Sequence, residues 1–465
     1  MSNIDITKKD ISWSYIAKFF QIGSGFITLP LVLRMLTPEE IGMNYLMLTI
    51  SSMVALLDFG FGPQFGRNFT YVNSGARRLL KEGIEYNDND SGNIDYHLLS
   101  VLLKTAKYVY QRLSLFSLLI MLTFGTLYIY HITNGFNNVN NSLIIWILFS
   151  ISTYFSINFS FYNSLLTGSG KVAEANIGTI LSQGIYLISV TVFLLSGFGL
   201  IGTIIGTFIS LVVKLTYCHK KYYTPTIRKN IIKKVDKKEI KETFDILWFN
   251  AKKLGINFLG SFAINKSAMF IIGFFLPLSV VGSYGLMIQF GTILIGIAQT
   301  LFNTYIPLFN NLRIVNNKIK IKQLICFTTL VYLIIMVLGS LSIIFIAPYI
   351  LKLLNAITTL PATIVMIIYF VSLTLEGNHS NFATLIVSNN QIPFVKSCLL
   401  SGFFILLFTI LVLKFTNLQI LGIVIVQSIV QLSYNNWRWP LWIIKEFDIN
   451  IKDFLTYSML FIKNK

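Results

Sequence analysis

The chain has 465 residues, 54% apolar, 14% aromatic and 12% charged, whereas soluble domains carry about 25% charged residues. A soluble globular class is therefore excluded. The formal net charge of +18 does not call for nucleic acid, because the basic residues sit in short segments between apolar runs, where they set membrane orientation.

Apolar windows of about 20 residues, the length that crosses a bilayer as a helix, predict twelve spans. They fall at 11–35, 42–64, 112–131, 143–166, 174–196, 200–217, 246–276, 280–308, 323–351, 361–387, 394–413 and 418–444. Lys8 and Lys9 precede the first span, which is too long for a signal-peptide core and is expected to direct its own insertion. With the N-terminus in the cytoplasm, roughly 32 of the 37 basic residues lie inside. Arg34, Lys352 and Lys414 lie outside, and Lys18 and Lys266 fall within spans. An even number of spans then places both termini in the cytoplasm. The inside segment 67–111 holds the run EYNDNDSGN and reads as a soluble hairpin with helical flanks. The basic segment 218–245 reads as a solvated loop or as a surface helix on anionic lipid. In the tail, 446–465, Phe454, Leu455 and Phe461 predict a helix lying on the inner surface. Cys218, Cys326 and Cys398 form neither a CxxC pair nor a disulfide framework.

The chain is internally duplicated. Ile41-Gly42 with Leu46-Met47 matches Val281-Gly282 with Leu286-Met287. Leu165 to Gly170 matches Leu385 to Asn390, and Ile201-Gly202 with Ile205 matches Leu421-Gly422 with Ile425 at the same offset. The expected fold is an all-α membrane protein with twelve transmembrane helices in two six-helix lobes related by a parallel repeat. The N-lobe is 1–217, the basic cytoplasmic linker 218–245, the C-lobe 246–445 and the cytoplasmic tail 446–465. Parallel repeats of this kind place a substrate path between the halves.

No catalytic constellation emerges, and neither a cofactor nor a metal site is expected. The histidines, His97, His131, His219 and His379, are far apart. Gly168 to Lys171 resembles part of a P-loop, but Leu165 stands where the first glycine belongs and Val172 where Ser or Thr does. Without an ATP site, transport would draw on an ion gradient or on the substrate's own gradient.

The informative residues are polar ones inside spans. Lys18, Gln21, Gly25 and Thr28 share one face of the first span at helical spacing. Asn257, Ser261 and Asn265 do so in the seventh, beside Lys266. Gln289, Thr292, Gln299 and Asn303 align in the eighth, and Gln427, Gln431, Asn435 and Arg438 in the twelfth. A lysine at mid-membrane costs roughly 2.5–3.5 kcal/mol and marks a functional position. Such stripes face a cavity or hydrogen-bond between helices, the latter at about 0.6 kcal/mol each. Four striped spans, all at the beginnings or ends of the halves, favour a cavity. A rise of ~1.5 Å per residue brings Lys18 to the depth of Asp58, and Lys266 to that of Glu376 with His379 one turn below. Each pair is expected to close in at least one conformational state or to stand as a fixed strut.

Leu56 to Arg78, LLDFGFGPQFGRNFTYVNSGARR, contains Asp58-Phe59-Gly60, Arg67-Asn68, Tyr71 and Ser74-Gly75-Ala76. It resembles the second-span exit of bacterial O-unit flippases, the Wzx-type polysaccharide exporters of the multidrug/oligosaccharidyl-lipid/polysaccharide transporter superfamily. Leu36 to Gly42 and Ile94-Asp95-Tyr96 fit as well, and the motif match lies within the first 130 residues. Gly62 and Gly66 depart from it, standing where a small polar residue is usual.

The resemblance implies a flippase, not an enzyme. It would carry undecaprenyl-pyrophosphate-linked oligosaccharide from the inner to the outer leaflet of the bacterial inner membrane by alternating access, in O-antigen and lipopolysaccharide biosynthesis. Lys18, Gln21, Asn257, Asn265, Lys266, Gln289, Gln299 and Gln427 would line the substrate cavity, their cations suiting a pyrophosphate. Asp58, Arg67 and Glu376 would form a gate or ion pair, and Glu376 and His379 would couple to a proton or sodium gradient. The partners would be the lipid-linked oligosaccharide and membrane lipids. The alternative is a multidrug or other small-molecule exporter of the same superfamily. Such an exporter should favour acidic in-span residues, because its usual substrates are cations.

Overall fold

The structure is a computed structural model that describes residues 8–73, 75–81, 94–232, 234–314, 317–387 and 393–463. Among the described residues there are helices and no strands. Contacts divide the chain into two units, Met1–Leu259 and Gly260–Lys465.

The first unit contains α1 (Lys8–Met35), α2 (Pro38–Ala55), α3 (Phe61–Asn73), α4 (Tyr96–Ile120) and α5 (Thr126–Ile132). They are followed by α6 (Ser142–Asn158), α7 (Phe161–Gly168), α8 (Val172–Leu195), α9 (Gly199–Tyr222), α10 (Pro225–Asn230) and most of α11 (Lys237–Asn265). The second unit contains α12 (Ser267–Phe275), α13 (Leu278–Ile314), α14 (Lys318–Phe345), α15 (Ala347–Leu353) and α16 (Thr363–Val387). It ends with α17 (Val395–Phe415), α18 (Gln419–Ser433), α19 (Asn435–Glu446) and α20 (Ile451–Lys463).

Eight helical runs among the described residues are long and apolar enough to cross a membrane. They coincide with the second to sixth, eighth, ninth and eleventh expected spans. Of the other four, the first and tenth are continuous helices, α1 and α16, while the seventh is bent and the twelfth broken. In the first, Gly23–Met35 is an apolar stretch within the continuous helix α1. The seventh bends by 46° between Phe258–Asn265 and Ser267–Phe275. The tenth, α16, carries Glu376-Gly377-Asn378-His379 through its middle. The twelfth breaks at Tyr434 between α18 and α19. The second expected span, 42–64, also needs correction. A 3-10 turn, Leu56–Asp58, closes it, and Phe59 (φ 47°) and Gly60 (φ 84°) turn the chain into α3.

The duplication is visible in helix register. α2 starts at Pro38 and α13 at Leu278. Ile41, Leu46 and Met47 on the first, and Val281, Leu286 and Met287 on the second, are all fully buried. α9 starts at Gly199 and α18 at Gln419, both with positive φ, 56° and 48°. Gly202 and Gly422 then let their helices approach closely: a Cβ would lie 2.7 Å from Phe193 Cβ in one and 2.4 Å from Val412 Cγ1 in the other.

The basic linker is not a solvated loop. Thr224 caps α10 and Pro225 occupies its first turn. Ile227 and Ile231 pack against the core that contains Leu99 and Leu102. The Ile232 N–H donates to Ser100 Oγ at 2.9 Å. Leu247 and Ala251 on α11 are fully buried in the same core. Of the 67–111 segment, α3 and α4 are the helical flanks, and 82–93 lies outside the described residues. The tail helix α20 packs along α14, fastened by Lys322 Nζ to Asp453 Oδ2 at 2.7 Å and by the Lys322 ammonium over the Tyr457 ring. Leu455 on α20 is exposed, Phe454 is packed against the core, and the Phe461 side chain lies outside the described residues.

Candidate functional site

In the first unit the polar centre is Asp58, at the end of the second span. Tyr110 OH donates to its Oδ1 at 2.5 Å, and the Gly62 N–H donates to its Oδ2 at 2.9 Å. The second bond satisfies a free donor in the first turn of α3, as a capping carboxylate does. Ser164 Oγ donates to the Gly62 carbonyl at 3.0 Å. Gly62, a departure from the family pattern, fits here because a Cβ would come within 3.2 Å of Asp58 Oδ2.

Phe59 adopts a left-handed conformation, which costs an L-residue roughly 1–2 kcal/mol. Its ring stacks on Trp248 at 5.5 Å, and Phe61 stacks on the same indole at 5.7 Å. Phe59 also rests on bare Gly255 backbone, where a Cβ would lie 2.3 Å from the ring. The Asp58 turn and α11 are thereby interlocked. Arg67 does not pair with Asp58. It is exposed, its Nη2 donates to Gln64 Oε1 at 2.6 Å, and it lies 6.0 Å from the Tyr71 ring centroid. Among the described residues it faces no carboxylate. The side chains of Lys18, Gln21 and Asn257 lie outside the described residues, so the Lys18–Asp58 expectation has one described member, and that member is held by Tyr110 and Gly62.

In the second unit Lys266 stands at the break between α11 and α12, with φ −128° and ψ −23°. Ser267 Oγ donates back to the Ala263 carbonyl, a contact that competes with the helical ladder and bends helices. The Lys266 N–H still donates to Phe262 O at 2.9 Å. The half-helix α12 thus begins beside a lysine at the middle of the interrupted span. Helix N-termini carry partial positive charge, and membrane carriers use such half-helix ends toward anionic groups.

Glu376 on α16 is partly buried and is held by amides. Gln431 Nε2 donates to its Oε1 at 3.0 Å, and Gln427 hydrogen-bonds it as well. Asn435 Nδ2 donates to Gln431 Oε1 at 2.9 Å and to Ser401 Oγ at 2.9 Å, and Trp439 Nε1 donates to Asn435 Oδ1 at 3.2 Å. His379 Nδ1 and Asn436 Oδ1 are 2.8 Å apart. Gln299 Nε2 donates to the Gly377 carbonyl at 3.3 Å, bringing α13 to the same level of α16. Among the described residues, buried Asn436 Nδ2 and Asn378 Oδ1 have no hydrogen-bond partner. This network spans the break at Tyr434, and Pro440 inside α19 withholds a further helical amide. Among the described residues no ion pair joins Lys266 to Glu376. Asn265 is exposed at the end of α11, and Gln289 is partly buried on α13.

The polar stripe of the twelfth span was legible as Gln427, Gln431 and Asn435. Its acceptors were not, because Ser401 and Glu376 lie on other helices. Tyr110 was also missed. It is 52 positions from Asp58, inside an apolar run where a tyrosine reads as core.

The described fold is that of membrane transporters. Over 97% of this chain and 90% of the other, it is similar to the lipid II flippase MurJ in an inward closed conformation, with a TM-score of 0.66 and 17% identity. It is similar to an inward-facing multidrug resistance MATE family transporter of the MOP superfamily over 95% of this chain and 99% of that one, at TM-score 0.64 and 14% identity. At these identities the likeness is one of fold. Residues 100–313 match the family described as "Polysaccharide biosynthesis protein". No curated protein matches the sequence.

Proposed function

We propose that this protein is a flippase that moves an undecaprenyl-pyrophosphate-linked oligosaccharide between the leaflets of the bacterial inner membrane by alternating access, with an O-unit as its substrate. The observation that carries the reading is Lys266, a lysine at the break of the seventh span and beside the N-terminal end of α12. A cation there suits a pyrophosphate, and a cationic drug would be repelled by it. The polysaccharide-biosynthesis match over residues 100–313 and the fold shared with a lipid II flippase support the same substrate class. Lys18, Gln21, Asn257, Asn265, Gln289, Gln299 and Gln427 are the further cavity residues we assign, with Asp58 and Arg67 at the gate.

Coupling is assigned to Glu376 and His379. Among the described residues the carboxyl has amide partners rather than a cation, so it can take up and release a proton, or hold a small cation, without first breaking a salt bridge. A second reading, a multidrug exporter, is favoured by the fold shared with a MATE transporter and by the carboxylates Asp58 and Glu376. Deletion in the producing cell separates the two. A flippase leaves lipid-linked oligosaccharide trapped on the inner leaflet. Normal surface glycan with no trapped intermediate, and no second flippase present, rejects the proposal.

A further inference from the structure

The polar centres above leave unused a cationic cluster where α4, α7, α9 and α10 meet. α10 is docked by Ile227 and Ile231, which leaves Arg228 and Lys229 exposed. On α9 the exposed His219 is 2.8 Å through Nδ1 from Tyr162 OH, and its ring lies 4.7 Å from that of Tyr223. From α4, the Lys107 ammonium lies 5.8 Å from the Tyr223 ring centroid. Lys107 and Arg228 are both close enough to His219 to act on its charge. On the other face of α9, Lys171 Nζ donates to the Lys221 carbonyl at 2.9 Å, and the Lys221 ammonium sits over the Tyr217 ring. Burial, and then the nearby Lys221, hold Lys171 below the usual lysine range, with Glu174 opposing them. Among the described residues Lys107, Arg228 and Lys221 have no carboxylate ion-pair partner.

These cations sit at a membrane boundary. The run Tyr96–Ile132 is 37 residues long, about 55 Å at the helical rise, against a hydrocarbon core of about 30 Å. One end must therefore project into the headgroup zone. Lys107 lies on the first three turns of that run, next to the polar linker. Tyrosines flanked by basic residues are what such a zone selects. The adjoining cavity of about 530 Å³ differs, since Arg77 and His97 there face Asp95 and Glu239.

We propose that Lys107 and Arg228, on the Tyr162–His219–Tyr223 platform, bind the phosphate of an anionic phospholipid headgroup. Mobile lipids of the surrounding leaflet would occupy this site, which is separate from the transport path. The bound lipid would pin the docked linker and the start of α11 at the membrane surface.

The test is native mass spectrometry of the full chain titrated with phosphatidylglycerol and, separately, phosphatidylcholine. Each interfacial cation contributes enough for about a five-fold change in affinity. Arg228→Gln should therefore weaken phosphatidylglycerol binding about five-fold, and Lys107→Gln with Arg228→Gln about 25-fold. Lys352→Gln with Lys414→Gln, which removes the same charge elsewhere, should leave it within about two-fold. Arg228 is exposed on α10, so the single variant keeps the question open if the double variant folds poorly. Equal weakening in both double variants would reduce the effect to net charge and overturn the proposal. Displacement of the lipid by inorganic pyrophosphate would overturn it too, since the ligand would then be a soluble anion. The readout involves no transport and is independent of the flippase reading.

Discussion

The two units each place one carboxylate within an expected span, Asp58 at a turn and Glu376 inside the continuous helix α16, and they treat it in opposite ways. Asp58 is gripped by a phenol and a backbone N–H inside an aromatic shell, and the adjacent Phe59 accepts a costly backbone conformation. Among the described residues Glu376 is met by side-chain amides, which can donate or accept, and they continue into Asn435, Ser401 and Trp439. The first arrangement is a fastened turn. The second can rearrange as its proton or cation content changes. Lys266, on the same unit as Glu376, adds a cation that the network does not consume. The lesson is that an in-span carboxylate is not by itself a coupling site, because its partners decide whether it can change state at low cost.

The largest effect should come from Lys266. Lys266→Ala is expected to abolish flipping in reconstituted vesicles while the protein still inserts, and Lys266→Arg should retain a substantial part. Normal transport by the alanine variant would remove the cavity role. Glu376→Gln comes next. It should uncouple transport from the ion gradient with little change in thermal stability, because an amide can still meet Gln431. Asp58→Asn should show the reverse, mainly a loss of stability. If their phenotypes were exchanged, the contrast between the units would collapse.

Within the fastened turn, Tyr110→Phe removes a hydrogen bond to a carboxylate and should cost about 1.5–3 kcal/mol, read in a denaturation series. Gly255→Ala would drive a Cβ into the Phe59 ring and should cost about 1–3 kcal/mol. If it were neutral, the turn would not be locked to α11. The smallest effect is at the surface. The Lys322 hydrogen bond holds the Asp453 carboxyl below its ordinary value of 3.8. A lowered folded value means the contribution is whole above that ordinary range and fades as pH falls through the folded value. Protease access to α20 should therefore rise only in strong acid, and Asp453→Asn should make it independent of pH there.

The membrane class followed from composition alone, because a chain this poor in charge has no soluble solution. Eight spans and the register of the repeat were legible in apolar windows and in paired positions such as Ile41 and Val281. The first, seventh, tenth and twelfth spans were legible only as polar residues in apolar runs, and of these the seventh and twelfth break. Where each helix breaks was settled by contacts that periodicity does not encode. Phe59 turns because Trp248 and Gly255, almost 200 positions away, receive its ring.

Lys266 and Glu376 show the same division. Their depth could be counted from sequence, since helical rise is fixed. Their partners could not, because helix rotation decides which side chains meet. Sequence by itself determined that this is a duplicated, polytopic membrane protein with costly polar residues at defined depths. Tertiary structure alone decided which of those residues are fastened and which can exchange partners, because hydrogen bonds in a low-dielectric interior depend on neighbours from distant helices.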